Sequence, residues 1–145
     1  MQITRQADYA VRAVLYLAEQ NGAGRAPTSQ IAREQRIPPS FLAKIVSQLS
    51  VAGMVQTSRG ARGGVALARE PKDISLLEVV EAIDGPITLN ECIPDSSLCT
   101  FGSDCPVHGV WANAQQQLVK ELSLTSFADL MAARGGKKVS ASLAL

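Results

Sequence analysis

Apolar residues recur at helical spacing in the first third of the chain, in stretches separated by polar or proline-containing segments. The first stretch extends from about Arg5 to Gln20. Thr4 lies just before it and is a good N-cap, because its hydroxyl can accept a hydrogen bond from a free backbone N–H of the first turn. The apolar side of this predicted helix is formed by Ala7, Val11, Val14, Leu15 and Ala18.

Two further helices are expected on either side of a proline-containing turn. The second helix is predicted to begin at Thr28, a residue type that favours the N-cap position. The segment 36–39, Arg-Ile-Pro-Pro, is predicted to be a turn because proline has no backbone N–H to donate. The third helix is expected from about 40 to 52. Its buried face, at positions i, i+3, i+4 and i+7, consists of Leu42, Ile45, Val46 and Leu49.

A β-hairpin is predicted after the third helix. Two short runs typical of strands, 54–57 and 65–68, flank the glycine-rich segment 58–64, which contains Arg59 and Arg62. Glycine permits the positive φ angles that a hairpin tip requires. The order of helix, turn, helix and hairpin predicts a mostly α fold, a winged helix-turn-helix with a two-stranded wing.

The second half of the chain is expected to be helical on both sides of a loop that contains all three cysteines. Ser75 and Glu78 have the spacing of a capping box, which predicts a helix that extends to about Asp84. The segment from Asn90 to Pro106 is predicted to be a loop.

A long helix at about 107–122 and a short final helix capped by Thr125 are expected to follow. The apolar side of the long helix is formed by Val110, Trp111, Ala114, Leu118 and Leu122. These patterns divide the chain into a winged helix-turn-helix domain at 1–72, a cysteine-containing loop with helices at 73–134, and a flexible tail at 135–145.

The third helix and the hairpin have the side chains that DNA recognition needs. An α-helix fits the major groove, and the outer face of this helix is polar, with a cation and no carboxylate. Arginines on a glycine-rich tip can enter the minor groove or bind phosphates. The residues predicted at the DNA are Thr28, Ser40, Phe41, Lys44, Ser47, Gln48, Ser58, Arg59 and Arg62. The plainer alternative is a small helical domain with a surface hairpin.

The distribution of charge favours the DNA-binding hypothesis. The whole chain has a formal net charge of +1, but residues 1–70 contain nine Lys/Arg and four Asp/Glu, a net charge of +5. Residues 71–145 contain five and nine, a net charge of −4. A basic segment joined to an acidic one indicates that the first half binds a polyanion and the second does not.

Composition and length exclude several classes of protein. With 145 residues and a hydrophobic fraction of 46%, the chain can form a sizeable core. No apolar run approaches eighteen residues, and the polar N-terminus lacks a signal-peptide core, so we expect neither a membrane span nor export. The only histidine is His108 and no glycine-rich phosphate loop follows a strand, so an enzyme is not indicated.

The cysteines indicate metal or redox chemistry in a reducing cytoplasm. Their number, three, is odd and fits poorly with a secreted disulfide framework. Cys92, Cys99 and Cys105 are spaced C-x6-C-x5-C in a loop. Thiolates bind zinc, copper(I) or iron–sulfur clusters, and structural zinc sites normally contain the closer C-x2–4-C pairs that are missing here. Three cysteines and one further ligand suit a cluster, whereas the plain alternative is three incidental buried cysteines.

Several segments of the chain resemble the Rrf family of bacterial winged-helix regulators. The resemblance lies in 4–12, Thr-Arg-Gln-Ala-Asp-Tyr-Ala-Val-Arg, in the wing segment 53–65, and in 75–83, Ser-Leu-Leu-Glu-Val-Val-Glu-Ala-Ile. The three cysteines are similar to those of the cluster-binding, IscR- and NsrR-like members. The resemblance covers about residues 1–133. It implies a homodimer held by the long helix, a double-stranded DNA operator, and a [2Fe–2S] or [4Fe–4S] cluster that controls DNA affinity.

The resemblance leaves two alternatives for the fourth ligand. Cys105-x-x-His108-x-x-Trp111 is similar to IscR-like members, in which this histidine completes the site, although the first cysteine spacing is one residue different. Asp8 stands where some NsrR-like members use a carboxylate from the other subunit. The plain alternatives are a solvated histidine and an ion pair between Asp8 and Arg12 at i+4. Trp111 is expected in the dimer core.

Three hypotheses about function follow. The first is a transcription repressor whose DNA affinity depends on a cluster that senses iron, nitric oxide or redox state. The second keeps DNA binding but uses the cysteines as a thiol/disulfide switch or a zinc site. The third, a small iron–sulfur redox protein, is disfavoured by the basic N-terminal half.

Overall fold

The computed structural model of the chain describes residues 2–20, 24–95, 101 and 104–136. Six α-helices, a two-stranded antiparallel sheet and one 3₁₀ turn are present in this part of the chain. In chain order they are α1 (Arg5–Glu19), α2 (Thr28–Gln35), α3 (Pro39–Val51), β1 (Val55–Ser58), β2 (Gly64–Leu67), the 3₁₀ turn (Pro71–Asp73), α4 (Leu76–Asp84), α5 (Pro106–Leu124) and α6 (Phe127–Gly136). The predicted winged helix-turn-helix is confirmed.

The start of α1 is fixed to the end of α4. The Thr4 hydroxyl accepts a hydrogen bond from the Ala7 N–H at 3.1 Å, so Thr4 is the N-cap, as predicted. The same hydroxyl donates to Asp84 Oδ1 at 2.5 Å, and the Thr4 N–H donates to Asp84 Oδ2 at 3.2 Å. The first helix of the DNA-binding half is therefore tied to the last turn of α4.

The beginnings of α2 and α3 differ from the prediction in detail. Thr28 is the first residue of α2 and not its N-cap, which is Pro27, and no side chain caps this helix. Pro39 belongs to α3 instead of the turn, since the first helical position requires no N–H donor and suits the fixed φ of proline. Between the helices, Arg36 has a φ of 54°, the left-handed conformation that reverses the chain.

The wing contacts the segment that precedes α2. In the hairpin, Val55 pairs with Leu67 and Ser58 pairs with Gly64, so the strands begin one residue away from their predicted starts. Ala26 forms an isolated bridge with Val65, with N–H···O distances of 2.9 Å in both directions. The wing is therefore attached to the helix-turn-helix unit by backbone hydrogen bonds.

The capping box of α4 is confirmed, whereas the cap of α6 lies one residue later than predicted. The Ser75 hydroxyl accepts from the Glu78 N–H at 3.1 Å, and Glu78 accepts from the Ser75 N–H at 2.9 Å. At α6, the Ser126 hydroxyl accepts from the Asp129 N–H at 3.1 Å, and the Thr125 hydroxyl donates to Glu121 O instead. Ser126 is therefore the N-cap of α6.

One hydrophobic core joins both halves of the chain. It extends from Tyr9 in α1 to Phe127 in α6, and Phe127 and Ile31 are among its fully buried side chains. By contrast, α5 has no buried residue in the described chain. None of the described helices is long and apolar enough to cross a bilayer. The last helix reaches Gly136, two residues into the predicted tail, and residues 137–145 lie outside the described part.

Candidate DNA-binding surface and cysteine loop

The outward face of α3 consists mostly of the residues predicted to meet DNA. Ser40, Phe41, Lys44 and Ser47 are exposed. Gln48 is half-buried, and its Oε1 accepts a hydrogen bond of 2.7 Å from Gln6 Nε2 of α1. Among the residues of this face, Gln48 is thus the one with a side-chain hydrogen bond to α1. The remaining four leave one side of α3 open to solvent.

A ring contact holds Phe41 in place. The Phe41 ring meets the Tyr9 ring edge-on, with centroids 6.0 Å apart and an interplanar angle of 70°. The guanidinium of Arg12 lies 5.3 Å from the centroid of the same Tyr9 ring. An edge-on pair and a cation over a ring are both favourable arrangements of the aromatic quadrupole. The N-terminal part of α3 is therefore packed against α1 through Tyr9.

The tip of the wing presents two cations. Arg59 and Arg62 are both exposed, and Thr28 at the start of α2 is exposed as well. Ser58 at the base of the tip is half-buried and accepts a hydrogen bond of 2.7 Å from Arg25 Nη1. The basic surface thus extends from the wing to Arg25.

Arg25 was not among the residues predicted at the DNA. It lies beside Ser58 because Ala26 pairs with Val65, and this contact between segments distant in sequence leaves no periodic signal in either of them. The one available hint was a cation just before the predicted start of α2.

Two of the three cysteines lie within the described chain. Cys92 and Cys105 are half-buried and free. Cys105 is the N-cap residue of α5, and the His108 N–H donates to Cys105 O at 3.1 Å, so both belong to the same helical turn. Cys99 falls in 96–100, outside the described residues.

His108 has an unsatisfied nitrogen. Its Nδ1 is buried and has no hydrogen-bond partner among the described residues. A buried imidazole nitrogen normally has a hydrogen-bond partner or binds a metal, because burying an unpaired polar atom costs free energy. Thiolate and imidazole together are a donor set that suits an iron–sulfur cluster. The chemistry of Cys92, Cys105 and His108 therefore fits such a group.

Asp8 is engaged within its own helix. Its Oδ2 is 2.6 Å from Arg12 Nη2, and both side chains are about half exposed. This is the i, i+4 ion pair that the sequence allowed as the plain alternative. No three His, Cys, Asp or Glu side chains converge as a metal site within the described residues, so Cys92, Cys105 and His108 are not brought together there; Cys99 lies outside the described residues.

Comparison with known proteins identifies the family. Residues 3–133 match the Rrf2 family, described as "Iron-dependent Transcriptional regulator". The chain belongs to the Rrf2 family. Its members share the winged-helix architecture described above, and the predicted resemblance is confirmed.

Two curated relatives extend over nearly the whole chain. The transcriptional regulator NsrR of Shouchella clausii is 32% identical over 132 residues, which cover 90% of this chain and 89% of the relative. The transcriptional regulator IscR of Escherichia coli O1:K1 is 30% identical over 131 residues, which cover 90% and 80%. This Rrf2 protein is therefore a DNA-binding transcription regulator and not an enzyme.

Solved structures support the same fold. The structure of CymR, the global cysteine regulator of B. subtilis, matches with a TM-score of 0.76 and 26% identity over 90% of this chain and 95% of CymR. T. potens IscR matches with a TM-score of 0.77 and 24% identity over 96% and 92%. The similar proteins thus include a regulator described as a global cysteine regulator.

Proposed function

We propose that this Rrf2 protein is a homodimeric repressor whose affinity for a DNA operator is controlled by an iron–sulfur cluster. The ligands in this proposal are Cys92, Cys99, Cys105 and His108. The observation that carries it is the buried, unpartnered Nδ1 of His108, in the helical turn that begins at Cys105. A ligand bond to iron would satisfy this nitrogen, which no described residue does.

The cysteine loop and the first turn of α5 supply three thiolates and one imidazole. This set suits a [2Fe–2S] or a [4Fe–4S] cluster. When bound, such a cluster supplies a centre that reacts with oxidants or nitric oxide and depends on the iron supply. Asp8 of the other subunit is the alternative fourth ligand, and its use would require the Asp8–Arg12 ion pair to open. Oxygen-sensitive thiolate ligation also favours the reducing cytoplasm, where the DNA lies.

DNA recognition is assigned to α3 and the wing. In this proposal α3 enters the major groove, and Arg59 and Arg62 contact the minor groove or the phosphates. The full set of proposed DNA-binding residues is Thr28, Ser40, Phe41, Lys44, Ser47, Gln48, Ser58, Arg59 and Arg62. Seven of them are exposed, whereas Gln48 and Ser58 are half-buried and accept hydrogen bonds from Gln6 and Arg25.

Dimerisation is assigned to α5. This helix has 19 residues, none of which is buried, and its exposed side chains include Val110 at 62% and Trp111 at 43%. A long helix with exposed large apolar side chains is expected to bury them against a partner. A second copy of α5 is the partner that the two-fold symmetry of most DNA operators favours.

The decisive experiment compares DNA binding with and without the cluster. The protein is purified anaerobically, and its preferred duplexes are selected from a randomised DNA library. Holo and apo forms then bind one selected duplex at the same salt concentration, after sedimentation shows that both are dimers. We expect affinities that differ by about 5- to 150-fold, the usual range of coupling between two sites. Equal affinities would show that the cluster does not control DNA binding, although the protein would still bind DNA.

A thiol switch or a zinc site is the second candidate. It is favoured by the two free, half-buried thiols of Cys92 and Cys105 and by the structural likeness to CymR. Anaerobic protein that contains no iron or sulfide, and whose DNA affinity changes on reversible oxidation or with zinc, would support this candidate over the cluster.

A further inference from the structure

One large aromatic side chain stands on the outward face of α3. Phe41 is the third residue of this helix, and 44% of it is exposed. Its neighbours on that face, Ser40 and Lys44, are polar. The N-terminal residues of such a helix are the ones that approach base edges in the major groove. An apolar ring therefore occupies a position where hydrogen-bonding side chains are the rule.

The ring is fixed before any partner arrives. Its edge-on contact with Tyr9 is made from the α1 side, and Tyr9 itself is only 8% exposed and belongs to the core. A side chain held in this way loses little conformational freedom on binding, so its contact with a partner is formed at low entropic cost. The part of the ring that faces solvent is thus a prearranged apolar contact surface.

The major groove contains one apolar group that such a surface can contact. Each thymine presents its C5-methyl group there, whereas the other bases present hydrogen-bond donors and acceptors, and phenylalanine is one of the residues that pack on this methyl. The phosphates at the groove edges offer nothing to an uncharged ring. The chemistry of the position therefore selects thymine.

We propose that Phe41 is a specificity-determining residue that recognises the C5-methyl group of a thymine in each half of the operator. The proposal rests on the DNA-binding surface assigned above, and it adds the identity of one base to it. It also gives α3 a means of discrimination that is independent of the hydrogen bonds of Lys44.

The test removes only the methyl group. A duplex that the protein selects from a randomised library is prepared with each thymine of one half-site replaced in turn by deoxyuridine, which keeps every hydrogen-bonding group of thymine. At one position we expect the wild-type protein to bind about four-fold more weakly, the effect of withdrawing one methyl group from an apolar contact. Replacement in both half-sites should weaken binding about fifteen-fold.

Variants assign the effect to the ring. Phe41→Ala should bind the thymine and deoxyuridine duplexes equally well. Val51→Ala is the matched control, because Val51 is an 89% exposed apolar residue of the same helix, about 15 Å further along its axis. This control should retain the four-fold preference. Circular dichroism establishes that both variants fold.

Three results would overturn the proposal, and they are distinguishable. Equal wild-type affinity for thymine and deoxyuridine at every position contradicts it without the need for a variant. A preference that survives in Phe41→Ala assigns the methyl contact to another residue of α3, such as the exposed Ala43. Failure of the wild-type protein to enrich any sequence rejects this inference together with the DNA-binding surface.

Discussion

The side chains of Gln6 and Gln48 connect α1 to α3 through a hydrogen bond of 2.7 Å, donated by Gln6 Nε2. The bond uses the carbonyl oxygen of Gln48, so the NH2 group of Gln48 remains a potential donor to DNA. Gln6 is therefore expected to set the orientation in which Gln48 meets a base or a phosphate.

Gln6→Leu should weaken operator binding by about two- to ten-fold, the value of one intramolecular hydrogen bond. Fluorescence anisotropy with a selected duplex measures it. Gln30→Leu is the control, since it removes a comparable hydrogen bond, from Gln30 Nε2 to the Tyr16 hydroxyl at 2.6 Å, between α1 and α2. Equal losses in both variants would mean that the effect is general destabilisation and not orientation of Gln48.

The cluster ligands are tested by iron and sulfide analysis of anaerobic protein. His108→Ala should lose most of the cluster while Asp8→Ala retains it, because in the proposal an imidazole nitrogen and not the ion-paired carboxylate completes the site. Each of Cys92→Ala, Cys99→Ala and Cys105→Ala should also lose most of the iron.

The reverse pattern, loss in Asp8→Ala and retention in His108→Ala, would identify the carboxylate as the ligand. A cysteine variant that keeps its full iron and sulfide content would exclude that cysteine. Arg12→Ala serves as a control for Asp8→Ala, since it breaks the same ion pair and leaves the carboxylate in place.

The wing arginines are tested by the salt dependence of binding. The double variant Arg59→Ala/Arg62→Ala should bind DNA more weakly on every sequence. If both side chains contact phosphates, the slope of log K against log salt should fall by about two. Lys120→Ala, which removes an exposed cation of α5, should leave the slope unchanged. An unchanged slope and affinity in the double variant would remove the wing from the DNA interface.

The attachment of the wing depends on Gly64. Its φ is +148°, and a Cβ at this position would lie 2.6 Å from Ala26 O, inside the bridge that joins the wing to the residues before α2. Gly64→Ala should lower the free energy of unfolding by roughly 1–3 kcal/mol, through strain and loss of these hydrogen bonds.

Gly60→Ala is the matched control in urea denaturation. Gly60 also has a positive φ, +103°, but a Cβ there would meet no atom within 4 Å. Gly60→Ala should therefore lower the free energy of unfolding only through backbone strain, by roughly 1 kcal/mol. A Gly64→Ala variant no less stable than Gly60→Ala would contradict the close contact with Ala26.

Acid should weaken the capping box of α4. Burial raises the pKa of Glu78, but the hydrogen bond from the Ser75 N–H and the Arg69 guanidinium lower the pKa more, so the net shift is downward. A carboxyl group with a lowered pKa in the folded state stabilises the protein above its unfolded-state pKa, and this contribution disappears as the pH falls through the folded-state pKa.

The difference in unfolding free energy between the wild type and Glu78→Gln should thus be largest near neutral pH and shrink in acid. Arg69→Met should reduce the same difference, because Arg69 Nη1 lies 3.1 Å from Glu78 Oε1. A difference that does not depend on pH would show that the charge of Glu78 contributes nothing to the cap.

The elements that sequence analysis predicted well are those specified by local signals. The stripe of α3 and the caps at Thr4 and Ser75 depend on residues within one or two turns of each other. The choice between Thr125 and Ser126 could not be made locally, since both are good N-cap types. Ser126 is the cap, and the Thr125 O instead accepts a hydrogen bond from the Leu76 N–H, a contact between distant segments.

In the candidate site too, the features specified by local signals could be predicted and those formed by contacts between distant segments could not. The cysteine spacing and the polar face of α3 are visible in the sequence, whereas the bond between Gln6 and Gln48 and the reach of Arg25 to Ser58 appear only when the helices are assembled. The buried state of His108 Nδ1 is equally a product of tertiary packing.

The backbone pairing between 74–76 and 125–127 closes a long segment of the chain at both of its ends. The Leu76 N–H donates to Thr125 O at 2.8 Å, and the Phe127 N–H donates to Ile74 O at 3.0 Å. Within the segment that these bonds close, Val79 of α4 belongs to the core, whereas α5 has no buried residue. Doubling the length of a loop closed in this way costs only about 0.6 kcal/mol. We therefore expect that adding or removing one residue between the cysteines changes the free energy of unfolding little. Phe127 and the helices it packs against should keep their positions.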